Sequence, residues 1–234
     1  MSAAGRFAAR RVQGFFVTPA ADFWRGYVRC LERGVRGLVL VFAGLVAGWW
    51  IYVPIHELLH AAGCVAAGGS VSRLEIDGLY GGALLARIFP FVTAGSDYAG
   101  RLSGFDTGGS DLVYLATDLA PFLLTVFPGV WALRRAGAAG AATGFGFSLP
   151  FALAPFLSLT GDAYEIGSIV VTRLPPWSES GLLRGDDAVQ LAGRLAETAG
   201  APWGGFVLAL AVGVLWAFAT YALGVAAAVF LAGR

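Results

Sequence analysis

The chain has 234 residues, of which 57% are hydrophobic and only 13% charged, with a mean hydropathy of +0.71. A soluble domain carries about 25% charged residues, so this composition argues against a water-soluble globule, and its hydrophobicity excludes disorder. The net charge of +1 gives no basic field for nucleic acid, and two cysteines, Cys30 and Cys64, are too few for a disulfide framework.

All 16 basic residues are Arg, and neither Lys nor Asn occurs, which with the abundant Ala and Gly suggests a high-GC bacterial genome. Residues 1–36 hold seven arginines (Arg6, Arg10, Arg11, Arg25, Arg29, Arg33, Arg36) against Asp22 and Glu32. No long apolar core follows the first arginines, so a cleavable signal peptide is not expected. Thr18-Pro19 reads as an N-cap with proline at the first helical position. From there Phe23, Tyr27, Leu31 and Val35 recur at helical spacing, with Arg25, Arg29 and Arg33 on another face. The pattern predicts an amphipathic helix on the inner membrane surface, or a solvated lead-in to the first span.

A bilayer span takes about 20 apolar residues. Apolar runs at about 37–67, 112–133, 140–159 and 205–231 predict an all-α polytopic membrane protein with about four transmembrane helices. Residues 37–234 then form one membrane-embedded domain. Residues 70–82 partly alternate around Leu74 and Ile76 and end in turn signals, predicting a short hairpin-like segment. Its edge is suited to holding an extended peptide by β-augmentation, or it is a plain structural cover. The apolar stretch Ala83–Val92 is too short to span and is broken by Arg87 and Pro90, so it reads as interfacial or re-entrant.

With the N-terminus inside, the inner face collects ten arginines: the seven above plus Arg134, Arg135 and Arg234. The outer loops, roughly 68–111 and 160–204, keep six: Arg73, Arg87, Arg101, Arg173, Arg184 and Arg194. The positive-inside rule thus places both termini in the cytoplasm of a bacterium, across its inner membrane.

The chain's two histidines fall in His56-Glu57-Leu58-Leu59-His60. On a helix, positions i and i+4 share a face, so both imidazoles can bind one zinc ion while Glu57 serves as general base. Ionisable groups inside a membrane are costly and point to function. A catalytic zinc needs a third protein ligand, and the acids within or at the ends of spans are Asp118, Asp162 and Glu165. Asp162 is favoured, because it follows the third span at its outer end, the depth reached by His56 and His60. Asp118 and Glu165 remain as alternatives, as outer supports of the histidines, or as substrate contacts. Cys64 continues the i+4 series but reads as a small buried residue.

His56-Glu57-Leu58-Leu59-His60-Ala61 near the end of a transmembrane helix, a Gly-rich stretch, and an aspartate beside a glycine (Gly161-Asp162) near a later span resemble the site-2 protease family of intramembrane zinc metalloproteases. The resemblance covers roughly residues 45–168. It implies His56, His60 and Asp162 as zinc ligands, Glu57 as catalytic base, and a membrane-anchored protein substrate cut in or beside its transmembrane segment. The arginine count turns the site to the outer face, suited to maturing or sorting an exported protein's membrane anchor. The alternative is a non-proteolytic zinc-binding membrane protein, either a metal carrier or an inactive scaffold.

Overall fold

The structure is a computed structural model that describes residues 3–178, 180–185 and 187–233. Arg234, counted in the orientation argument, lies outside the described residues, as do the side chains of Arg6, Arg10 and Arg11. The described chain is mostly helical, with a three-stranded sheet between the first two membrane-length helices. Four helical runs are long and apolar enough to cross a membrane: Val35–Ala66, Asp111–Ala138, Ala142–Val171 and Trp203–Ala232.

Three of these runs match the expected spans to within a few residues at each end. The third departs, because it does not finish near Leu159. Helix α6 (Ala142–Leu157) breaks over Ser158–Gly161 and restarts as α7 (Asp162–Val171) within the same membrane-length run. Asp162 therefore lies inside the run rather than at its outer end. The N-terminal helix differs too. Helix α1 (Ala3–Leu31) runs straight through Thr18-Pro19, and the Thr18 hydroxyl donates to the Gly14 carbonyl one turn back instead of capping. From residue 13 on, where its burial is described, the buried positions are Pro19, Asp22, Gly26 and Cys30 rather than the Phe23–Tyr27–Leu31 stripe, and Val35 opens helix α2 (Val35–Ala66) and is exposed.

The chain divides into two compact units. One comprises Met1–Trp49, Leu124–Ala154 and Ala217–Arg234. Here α2 and α6 touch backbone to backbone. A Cβ on Gly44 would strike the Thr143 carbonyl, one on Gly48 the Phe147 carbonyl, and one on Gly146 the Val41 carbonyl. Small residues give such helices the van der Waals contact that lipid cannot displace. Helix α1 lies on α5 (Val130–Ala138) through Gly26 and Gly137, and Arg29 donates to the Ala138 carbonyl at 2.8 Å.

The other unit comprises Trp50–Leu123 and Pro155–Trp216. Its sheet has β1 (Ser70–Ile76) in the middle, parallel to β2 (Val92–Ala94) and antiparallel to β3 (Gly100–Asp106). The alternation at Leu74 and Ile76 is real. Both are fully buried with Val92 against Leu58 and Ala61 of α2. The tight hairpin over 70–82 is not formed. β1 pairs on both sides, its antiparallel partner β3 lies well downstream, and β2 and β3 are the two edge strands. The stretch 83–92 contains a helical turn, α3 (Gly82–Leu85), leading into β2.

Helix α4 (Asp111–Leu119) packs on α7 through Leu115, Leu119, Phe122, Ala163 and Ile166. Asp111 at the start of α4 accepts from both Arg173 and Arg184, the latter through two nitrogens at 3.0 and 3.2 Å. Helices α8 (Ala188–Ala196) and α9 (Trp203–Ala232) close the chain. Tyr164 of α7 is buried with Leu191, Leu195, Phe206 and Ala209.

Candidate metal centre

Helix α2 carries Tyr52, His56, His60 and Cys64 at four-residue intervals, which stacks them along one face. His56 Nε2 and His60 Nε2 stand 3.1 Å apart. Asp162, the first residue of α7, places Oδ2 3.2 Å from His56 Nε2 and Oδ1 3.6 Å from His60 Nε2. One ligand atom from each of the three residues lies within 4.8 Å of the others, and no other such cluster occurs among the described residues. The group can hold a metal ion. Cys64 is buried, with its thiol toward the Ser70 carbonyl, and stays outside it.

The outward nitrogens are held as well. His60 Nδ1 is 3.0 Å from the Thr117 carbonyl oxygen, which can only accept, so Nδ1 carries the proton and Nε2 presents a lone pair. His56 Nδ1 is 2.6 Å from the buried Tyr52 hydroxyl. Asp162 Oδ2 is buried and receives no hydrogen bond, although His56 Nε2 is close. With His60 Nε2 a lone pair, the 3.1 Å contact is a hydrogen bond donated by His56 Nε2–H, and a metal cation would take the place of that proton. Two imidazole nitrogens and one carboxylate are the donor chemistry of a divalent metal site.

Compared with family models, with curated proteins and with solved structures, the chain matches none.

A cavity of about 380 Å³ opens onto this group, lined by Glu57, His60, Asp162 and the strand β3. Gly100, the first residue of β3, lies directly on Glu57. A Cβ built there would be 2.7 Å from the Glu57 carboxyl carbon, so any side chain would push the carboxylate aside. Asp118 and Glu165, the alternative ligands, line the same cavity and are buried, but neither joins the ligand group. The Tyr114 hydroxyl donates to Glu165 and thereby ties α4 to α7 beside Asp162.

Sequence reasoning missed Tyr52, the Thr117 carbonyl and the β3 edge. Two of these had signals. Tyr52 precedes His56 by four residues, and Pro121 follows Thr117 by four.

Proposed function

We propose that the protein is an intramembrane zinc metalloprotease, similar in its site to the site-2 protease family, that hydrolyses a peptide bond in or beside a transmembrane segment of another membrane protein. The observation that carries the reading is the convergence of His56 Nε2, His60 Nε2 and the Asp162 carboxylate beside a cavity that Glu57 also lines. A zinc ion held there supplies a Lewis acid and a water acidic enough to ionise near neutrality.

Glu57 accepts the proton of the attacking water and delivers it to the leaving amine. Its neighbour Gly100 keeps the carboxylate free to move between those two positions. A substrate helix must unwind before its carbonyls are reachable. The strand edge that meets an unwound segment belongs to β3, whose residues Gly100–Ser103 line the cavity, and not to the central β1. Glu165 and Asp118 form the facing wall and contact substrate or the polar surround of the ligands.

The arginine asymmetry supports both termini in the cytoplasm of a bacterium and a site opening toward the outer face, for the maturation or sorting of an exported protein's membrane anchor. Single cysteines at Ser96 and Ser180, on a background lacking Cys30 and Cys64, test this. Impermeant reagent added outside should label both, and labelling only after the inner face is exposed would invert the topology.

Zinc content tests the site itself. Purified protein should hold about one zinc per chain, lost on His56→Ala or His60→Ala, because each removes one of three ligands. Zinc-free wild type would sink the reading. Transport of metal that survives Glu57→Gln would replace it with a carrier.

A further inference from the structure

In an α-helix the carbonyl of residue i accepts the N–H of residue i+4. For Thr117 that residue is Pro121, which has no N–H. The chain passes into a 3-10 turn at Ala120–Phe122 and then resumes. The Thr117 carbonyl is thus left without its helical donor, and a buried carbonyl without a partner is costly. His60 fills the vacancy with Nδ1–H at 3.0 Å.

The same device occurs away from the metal group. Pro155 cannot donate to the carbonyl of Phe151, and the buried Thr125 hydroxyl donates there at 2.7 Å. In each case a proline in a membrane-length run releases a carbonyl four residues earlier, and a side chain from another helix takes it.

We infer that Pro121 is a positioning residue: by withholding an N–H it releases the Thr117 carbonyl to fix the ring orientation and tautomer of His60, with Nε2 turned to the metal. The inference rests on the zinc reading of the site. It also distinguishes the two histidines. His60 is held by a pure acceptor and is locked in one tautomer. His56 is held by the Tyr52 hydroxyl, which can donate or accept, and so adapts its tautomer when a cation arrives.

The test restores the N–H. Pro121→Ala and Pro121→Ser each return a donor that competes with His60 for the Thr117 carbonyl. Zinc affinity, read by competition with a chromophoric chelator, should fall about tenfold or more in both, within the range for losing an outer support of a ligand. The visible absorption of the cobalt-loaded protein should shift with it. Thermal stability of the metal-free protein should hold or rise, since the helix regains a bond and loses a proline.

Pro155→Ala, the matching change at the other site, should leave zinc affinity and the cobalt spectrum as in wild type. Tyr52→Phe should weaken zinc without altering the His60 tautomer, read by nitrogen chemical shifts. Equal zinc affinity in wild type and both Pro121 variants would overturn the positioning role alone. So would an affinity loss matched by a fall in metal-free stability. Wild type that binds no zinc would overturn the reading of the site as well.

Discussion

Asp22 of the first unit and Asp162 of the second meet surroundings that differ in kind. Asp22 in the first unit is met by Arg25 at 2.7 Å, Arg134 at 3.4 Å and the Tyr221 hydroxyl at 3.2 Å. Its charge is answered by permanent cations and a donor. Asp162 in the second unit faces two imidazole nitrogens, one of which is fixed as a lone pair by the bond behind it. An isolated carboxylate in a low-dielectric interior costs several kcal/mol, so each arrangement has to supply positive charge. The first brings it with the fold. The second forms part of a group that can hold an ion, and that is the difference between the two acids.

The largest expected effect breaks the chemistry and spares the ligands. Glu57→Gln should lower peptidase turnover by about 10²- to 10⁴-fold, the usual contribution of a general base, while the zinc stoichiometry stays at that of wild type. Loss of zinc in this variant would show that Glu57 holds the metal rather than the proton.

Next come the acids compared with each other. Asp162→Ala should weaken zinc by more than the about 10- to 100-fold typical of an outer support, and Asp118→Ala by less than Asp162→Ala. Equal or reversed losses, measured by chelator competition, would mean the wrong carboxylate has been assigned. Asp22→Asn should do the opposite, costing about 1–2 kcal/mol of thermal stability in detergent with no change in zinc. The cost is kept modest because Arg25 is 69% and Arg134 35% exposed at the side chain, so neither becomes a buried unpaired charge.

The parts of this arrangement that the sequence disclosed are those coded at short range. His56 and His60 stand one turn apart on a helix whose existence follows from its length and hydropathy. The depth of Asp162 was not legible, because the polar residues Ser158, Asp162 and Glu165 make the run look as though it has ended. The core-facing residues of β1 followed from alternation, but its partner did not, since β3 arrives after a long connection with no local turn to announce it. Thr18-Pro19 resembled a helix start because capping and helix-interior threonines differ only in which backbone group the hydroxyl finds. Pro121 falls inside the expected second span without interrupting it, and what it frees lies four residues earlier.

The smallest effect isolates that last point. Thr125→Val removes the hydroxyl that the Phe151 carbonyl accepts while keeping the side chain's shape. Hydrogen bonds between membrane helices average about 0.6 kcal/mol by double-mutant cycles, so a loss of that order is expected in reversible unfolding. The double variant with Pro155→Ala should recover most of it, because the restored N–H satisfies the same carbonyl. Neither change should alter zinc affinity. Failure of the second substitution to compensate the first would mean that Thr125 stabilises its unit by packing and not by meeting the carbonyl that Pro155 releases. The parallel between the two prolines would then lose its energetic basis, leaving Pro121 to be judged on the metal alone.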